Sequence, residues 1–178
     1  MLNTSRKELT KKALLDALVD LLKTNGFDDI TTKQLAITAG ISRSSFYTHY
    51  KDKYEMIDSY QQILFHKLEY VFDKEHENWE HTFEEIFSFL QNEQLLSALL
   101  SVNGTKEIQN FIIHKVRKII VRETLTKAPE IKLSQKEREY HSIFLSHAFF
   151  GTCQEWIAKG KKESPKEMTA FILKMLSR

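Results

Sequence analysis

The sequence predicts an all-α fold of about nine helices. Apolar residues recur at three- and four-residue spacing along most of the 178 residues, and no segment alternates as a β-strand would. Only five glycines and two prolines occur, and most lie between the periodic segments, where helices are expected to end. With 42% hydrophobic and 28% charged residues, the composition is that of a globular protein with a real core.

The first helix is expected from about Ser5 to Asn25-Gly26, with Leu14, Leu18 and Leu22 on its buried stripe. Residues 31–53, TTKQLAITAGISRSSFYTHYKDK, then contain two short helices with clear start signals. Thr31 and Gln34 form a capping box at the start of one. Ser42 caps the other, and Gly40 lies where the first must stop because glycine tolerates a left-handed backbone. Two helices joined by a tight glycine-containing turn predict a helix-turn-helix, the unit that lays its second helix in the DNA major groove.

The second helix of this pair has two different faces. Phe46 and Tyr50, one turn apart, are expected to pack inward. The opposite face carries short or planar polar groups suited to base edges and phosphates, namely Arg43, Ser44, Tyr47 and Thr48. The pattern therefore predicts a DNA-reading surface.

The rest of the chain predicts a helical body. A long fourth helix follows a cap at Asp52 and Glu55 and keeps its period to about residue 75. Three further apolar segments start near Trp79, Leu95 and Ile108. A long helix opens at Ser134 and ends at Gly160, and the last has Ser164 as cap and Pro165 in its first position. We therefore divide the chain into a three-helix DNA-binding domain, residues 1–53, and a helical ligand-sensing and dimerisation domain, residues 54–178.

Residues 9 to 57 closely resemble the DNA-binding domain of the TetR family of bacterial transcriptional regulators. The resemblance lies in the segments Ala13-Leu14-Leu15-Asp16-Ala17-Leu18, Asn25-Gly26-Phe27, Thr31-Thr32, Leu35-Ala36, Ala39-Gly40-Ile41-Ser42 and Phe46-Tyr47-Thr48-His49-Tyr50-Lys51-Asp52-Lys53. The run from Phe149 to Trp156 and on to Ser164-Pro165-Lys166-Glu167 resembles some members more loosely.

The resemblance and the residue chemistry together give a set of expected DNA contacts. Nine residues are expected to touch DNA: Thr32, Lys33, Arg43, Ser44, Ser45, Tyr47, Thr48, His49 and Lys53. Arg43 is the best candidate for base recognition, because its fork can bond guanine O6 and N7 together. Matching to the family implies phosphate contacts for Thr32, Lys33, Tyr47, His49 and Lys53. The alternative for Tyr47 is a half-buried core aromatic, and for His49 an ordinary surface imidazole.

A homodimer is expected because one helix-turn-helix contacts only a few base pairs. The family resemblance implies a four-helix bundle made by the last two helices of each subunit. The expected interface residues are Phe144, Ala148, Gly151, Thr152, Phe171 and Met175. Alternatively, the small residues among them only accommodate a neighbouring helix of the same subunit.

A small-molecule pocket between helices is a second expectation for the body, because apolar cavities there often hold ligands. Its candidate lining residues are Trp79, Phe83, Phe87, Phe111, His114 and Phe144. An aromatic-rich helix face is, however, more often plain core.

Other classes of site find little support. The histidine pairs are spaced five and six apart, so no metal site is expected, and no cofactor is expected either. Cys153, the lone cysteine, is either a redox switch or inert filler. There is no glycine-rich phosphate loop or nucleophile elbow, so an enzyme is not expected. The absence of disulfide pairs and of a long apolar span points to the cytoplasm and away from a membrane.

Charge supports the same division weakly. The net charge is +2, but residues 1–53 carry nine Lys or Arg against six Asp or Glu, and the remainder carries 17 against 18. The leading hypothesis is a homodimeric regulator, a repressor that binds a palindromic operator in double-stranded DNA and is released by a small ligand. The alternative is a family member that acts through a protein partner, without a small-molecule effector.

Overall fold

The computed structural model describes residues 6–73, 79–127 and 133–176, apart from the side chains of 73, 79 and 123–127. These residues form nine α-helices and no strand, which confirms the all-α prediction. The helices are α1 Arg6–Leu21, α2 Thr32–Thr38, α3 Arg43–Tyr47, α4 Lys53–Asp73, α5 Trp79–Asn92, α6 Gln94–Leu100, α7 Lys106–Lys127, α8 Gln135–Ala158 and α9 Pro165–Leu176. A short 3-10 turn, Phe27–Asp29, precedes α2 and is called the Phe27 turn below. None of the described helices is long and apolar enough to cross a bilayer.

The chain folds into two compact units, which differ from the predicted division at residue 53. The N-terminal unit comprises Met1–Tyr70 together with Glu93–Thr105, and the C-terminal unit comprises Val71–Asn92 together with Lys106–Arg178. Most of α4 and all of α6 therefore belong with the helix-turn-helix. The sequence did not predict that α6 belongs to the N-terminal unit, because the helices before and after it in the chain, α5 and α7, belong to the C-terminal unit.

Local signals place α2 and α3 where the sequence predicts them. The Thr31 hydroxyl accepts from the Gln34 N–H at 3.2 Å, and Gln34 Oε1 accepts from the Thr31 N–H at 2.9 Å, so the capping box is complete. Gly40 has φ 67°, and the Ile41 N–H that follows it donates to the Ala36 carbonyl at 2.9 Å. This left-handed residue ends α2, since a side chain would be strained there.

The core of the N-terminal unit comes from the apolar faces of its helices. Leu14 and Leu18 of α1, Leu35 of α2 and Phe46 of α3 are all 0% exposed. Tyr50, predicted to be core, is 7% exposed, and its hydroxyl lies 3.2 Å from that of Tyr60 on α4. The inward face predicted for the second helix is therefore confirmed. Its burial leaves the opposite face of α3 in solvent.

Aromatic side chains pack against one another in the core of the C-terminal unit. Phe83 and Phe87 of α5 meet Phe149 of α8 with ring centroids 5.1 and 5.7 Å apart, and Phe87 also meets Trp156 edge-on at 5.3 Å. Such pairs add to the free energy gained from apolar burial. Within this unit, α5 also packs against α9 and α7 against α8.

Candidate nucleic-acid interface

A hydrogen-bonded cluster joins the start of α2 to the outward face of α3. The Tyr47 hydroxyl lies 3.3 Å from the Thr32 hydroxyl and accepts from an Arg43 guanidinium nitrogen at 3.2 Å. The same guanidinium lies 5.6 Å from the Tyr47 ring centre. Hydrogen bonds with Thr32 and then with Arg43 hold the pKa of Tyr47 below its ordinary value of 10.0. Three of the predicted DNA contacts are thus brought together on one surface.

This cluster is accessible to a large partner. Tyr47 is 47% exposed, and Arg43 is exposed beside it. Tyr47 is consequently not the half-buried core aromatic of the alternative interpretation; its ring edge only rests on Phe46, with centroids 5.6 Å apart. A guanidinium has five N–H groups, so Arg43 retains donors for a base or a phosphate after bonding Tyr47. The cluster can therefore offer positive charge and directed donors together.

Hydroxyl groups surround the cluster. Ser42 Oγ caps α3 by accepting from the Ser45 N–H at 3.0 Å, and it lies 2.9 Å from Ser44 Oγ. The Thr48 hydroxyl donates to the Ser45 carbonyl at 2.6 Å, which leaves its oxygen as an acceptor. Ser44 and Thr48 are exposed and Ser45 is half-buried. Short groups held this close to the helix backbone suit contact with base edges.

Lys33 and His49 complete the polar surface. Lys33 is exposed in the first turn of α2, and His49 is half-buried just after α3. The His49 Nδ1 atom is buried and has no hydrogen-bond partner among the described residues. His49 is therefore not an ordinary, fully solvated surface imidazole.

Lys53 has a different environment from the one expected of a phosphate contact. Its side chain is buried at 7% exposure, and its ammonium donates to the carbonyls of Phe27, Asp28 and Ile30 at 2.7, 2.6 and 2.8 Å. An ammonium has three N–H groups, and all three are used. The predicted phosphate contact by Lys53 is therefore corrected. Lysine is rarely buried, so nothing in the sequence distinguished it from an exposed anchor.

The predicted ligand-binding residues lie in different environments. Phe83 and Phe87 are 0% exposed, so they do not line even a water-sized cavity. Phe144 is 69% exposed, and His114 is also exposed on α7. Phe111 is half-buried, with the Lys115 ammonium 5.6 Å from its ring centre, and the Trp79 side chain lies outside the described residues. The predicted aromatic stripe is thus divided between core and surface.

A cavity of about 610 Å³ instead lies between α8 and α9. It is lined by Ala148, Gly151, Thr152, Glu155, Trp156, Lys159, Glu163, Glu167, Met168 and Phe171. Four of these belong to the predicted dimer interface. The other two predicted interface residues, Phe144 and Met175, are 69% and 42% exposed.

Gly151 decides between two explanations for the small residues on α8. A Cβ atom added at Gly151 would meet no atom of another described helix within 4 Å. No neighbouring helix of the same subunit therefore requires a glycine at this position. The intrasubunit explanation does not apply to Gly151.

Cys153 is buried within the C-terminal unit. Burial raises the pKa of its thiol far above the ordinary value of 9.0. Since the thiolate is the reactive form, this environment favours inert filler over a redox switch.

One pair of contacts beside this surface was not predicted from the sequence. The Phe27 turn receives the ammonium of Lys53, and the Phe27 N–H donates to the Asn103 carbonyl at 2.8 Å. The signals for this region were Asn25-Gly26 and Gly104, which mark turns but do not say that the two turns meet.

Comparisons with known proteins agree with this geometry. The model of the TetR-family regulatory proteins of bacteria matches residues 14–60, and a model of a transcriptional regulator C-terminal region matches residues 77–178. The class D tetracycline repressor of Escherichia coli is 32% identical over 85 residues, which cover 47% of this chain. The matched segment spans only 36% of that repressor's own length.

Solved structures show the same fold. A TetR transcriptional regulator from Streptococcus agalactiae 2603V superposes with a TM-score of 0.65 at 21% identity, over 97% of this chain and 96% of that one. The FadR regulator of Bacillus subtilis, solved with stearoyl-CoA, gives a TM-score of 0.64 at 15% identity, over 93% and 96%. The two family models together extend from residue 14 to the end of the chain, with a short gap between them. The chain belongs to the TetR family of DNA-binding transcriptional regulators.

Proposed function

We propose that this protein is a homodimeric repressor that binds a palindromic operator and leaves it when a small molecule binds. The observation that carries the DNA-binding part is the exposed cluster of Arg43, Tyr47 and Thr32. It links the first turn of α2 to the outward face of α3, so one surface can hold a phosphate and read a base. Lys33, Ser44, Ser45, Thr48 and His49 extend this surface, and Lys53 is left out of it.

The homodimer is supported by the exposed apolar face of α8 and α9. Phe144, Phe171 and Met175 are 69%, 48% and 42% exposed, which is unusual for large apolar side chains on neighbouring helices. Gly151 on the same face has open space before it. A second copy can approach closely at such a position, and two-fold pairing presents two copies of α3 to successive major grooves, about 34–36 Å apart.

Repression and release by a small molecule are the finer part of the proposal. They are supported by the family and by the matched relatives, which are named as tetracycline repressors. A ligand shifts the balance between a DNA-binding and a released conformation only by its difference in affinity for the two. The proposal places the protein in the cytoplasm, together with its DNA.

A second function, regulation through a protein partner without an effector, is favoured by one observation. Of the aromatic residues predicted to line a ligand pocket, Phe83 and Phe87 are fully buried and Phe144 is 69% exposed. Thermal-shift screening separates the two: a small-molecule sensor is stabilised by its ligand, whereas an adaptor responds only to a protein.

The experiment is selection of duplexes by purified protein from a random library of roughly 30 base pairs, about three helical turns. We expect an inverted repeat. Arg43→Ala should then weaken binding by about 1–3 kcal/mol and relax preference at one base pair of each half-site. Arg138→Ala, an exposed arginine on α8, is the matched control and should bind normally. Recovery of no enriched sequence, or wild-type binding by Arg43→Ala, would contradict the proposal.

A further inference from the structure

The Phe27 turn is held from one side by a buried cation. The three hydrogen bonds of Lys53 end on carbonyls at or directly after this turn, 2.6 to 2.8 Å from the ammonium. The rings of Phe27 and Tyr54 flank the same ammonium at 5.0 and 5.1 Å, close enough for cation–π attraction. Burial lowers the pKa of Lys53, and the nearby carboxylates of Asp28 and Asp29 oppose that shift.

The same turn is held from the other side by the loop after α6. The Phe27 N–H donates to the Asn103 carbonyl at 2.8 Å, and the Asn103 side-chain amide donates to the Leu22 carbonyl at 2.9 Å. This loop is tight, because a Cβ atom on Gly104 would fall 1.8 Å from the Leu99 carbonyl oxygen. Only glycine permits so close an approach of backbone to backbone.

The position of the Phe27 turn fixes where α2 begins. Ile30, whose carbonyl Lys53 binds, directly precedes Thr31, the cap of α2. The next residues, Thr32 and Lys33, are proposed DNA contacts, and Thr32 is bonded to Tyr47. A shift of the turn therefore moves the DNA-contacting start of α2 without touching any DNA-contacting side chain.

We propose that Lys53 and Asn103 are positioning residues for operator binding, which clamp the Phe27 turn between α4 and the loop after α6. This inference rests on the proposed function and adds two residues that do not touch DNA. It also gives α6 a role. The helices before and after it in the chain, α5 and α7, belong to the C-terminal unit, whereas α6 belongs to the N-terminal unit. The loop after α6 supplies the hydrogen bond to the Phe27 turn.

Salt dependence of operator binding separates a positioning residue from a phosphate contact. Each phosphate contact contributes about −0.9 to the slope of log K against log salt concentration. We measure fluorescence anisotropy with the selected palindromic duplex for wild type, Lys53→Met, Lys53→Arg and Lys33→Met. Lys23→Met is the control, because Lys23 is exposed and pairs with Asp20 at 2.6 Å.

We expect Lys53→Met to bind about ten-fold or more weakly, since the carbonyls of Phe27, Asp28 and Ile30 lose their shared donor, and to keep the wild-type slope. Lys53→Arg should show the same loss although it keeps the charge, because a planar fork does not match three converging carbonyls. Lys33→Met should reduce the slope by about 0.9 per subunit. A reduced slope in Lys53→Met, or wild-type affinity in Lys53→Arg, would overturn the positioning role.

Asn103→Ala tests the clamp if the Lys53 variants do not fold. It removes only the side-chain amide and keeps the carbonyl that binds Phe27. We expect faster hydrogen exchange at the Phe27 amide in the free protein, with operator binding weakened about three- to ten-fold, as expected for one lost hydrogen bond, at an unchanged salt slope. Faster exchange with unchanged affinity would overturn the inference. Failure of the wild type to bind any duplex would instead overturn the proposed function, and the exchange result would still report on the clamp.

Discussion

The two helices of the helix-turn-helix and the helices of the C-terminal unit are stabilised in different ways. α2 and α3 have seven and five residues and are positioned by hydroxyl caps, a glycine turn and a clamped loop. α8 has 24 residues and is held mainly by apolar contacts such as that between Phe149 and Phe87. Short helices are not stable alone, so α2 and α3 depend on these directed bonds as well as on the burial of Leu35 and Phe46. In the C-terminal unit, the position of a helix depends on the apolar area that it buries, and many different apolar side chains can bury a similar area.

The difference implies that a single change affects the two regions differently. In the N-terminal unit, loss of one hydrogen bond should alter function more than stability. In the C-terminal unit, loss of one buried ring should alter stability first. The four predictions below test this contrast, from the largest expected effect to the smallest.

Phe87→Ala should lower the free energy of unfolding by about 3–5 kcal/mol. The ring is 0% exposed and packs between Phe149 and Trp156, so its removal leaves a cavity. Urea denaturation at fixed protein concentration measures the loss. Phe144→Ala is the matched control, because that ring is 69% exposed and contributes little to the subunit's own core. Equal losses for both variants would remove the contrast between buried and interface aromatics.

Gly151→Leu should break association without harming the subunit. A Cβ atom at this position meets no other helix of its own chain within 4 Å, and leucine favours a helix over glycine by up to about 1 kcal/mol. In a close helix pair, by contrast, the added atoms should cost about 1–3 kcal/mol of association free energy. Sedimentation equilibrium measures the dimer dissociation constant. A dimer as tight as wild type would place the interface elsewhere.

How much of this the sequence could predict also differs between the regions. The helix-turn-helix was predictable because the residues that begin and end its helices have partners only a few residues away. Spacing alone therefore indicates the roles of Thr31, Gln34, Gly40 and Ser42. Phe46 and Tyr50 were correctly assigned inward for the same reason.

The body could be predicted only as helices. Phe83 and Phe144 have the same side chain and fall on similar periodic stripes, yet one is fully buried and the other is 69% exposed. Whether another helix packs against an apolar stripe depends on contacts between distant parts of the sequence, and local periodicity does not predict those contacts. The prediction for Lys53 was wrong for the same reason: the three carbonyls that accept its hydrogen bonds lie 23 to 26 residues away in the sequence.

Thr31→Ala and Ser164→Ala compare the same chemistry in the two regions. Each removes a hydroxyl that accepts a backbone N–H at a helix start, and each should lower the free energy of unfolding by about 1 kcal/mol. Thr31→Ala should also weaken operator binding several-fold, because it loosens the turn of α2 that carries Thr32 and Lys33. Ser164→Ala should bind DNA normally. Equal operator affinity in the two variants would show that the α2 cap has no part in positioning.

The smallest expected effect is the pH dependence of stability, which distinguishes the capping box of α2 from those of α8 and α9. The α2 box closes with neutral Gln34, whereas the boxes of α8 and α9 close with Glu137 and Glu167. Hydrogen bonds from the side chain and then the backbone of Ser164 hold the pKa of Glu167 below its ordinary 4.5, and Ser134 does the same for Glu137.

Because folding lowers these two pKa values, the stabilisation is complete above about pH 4.5 and is lost as the pH falls through the lower folded values. The double variant Glu137→Gln/Glu167→Gln should therefore have a lower free energy of unfolding than wild type at neutral pH, and the two values should converge in acid. Urea denaturation at several values between about pH 3 and 7 measures the difference, in which the titration of all other carboxylates cancels. Two parallel curves would show that the carboxylates cap these helices no better than amides do. The caps of the two regions would then be equivalent, and only the shortness of α2 and α3 would distinguish the helix-turn-helix.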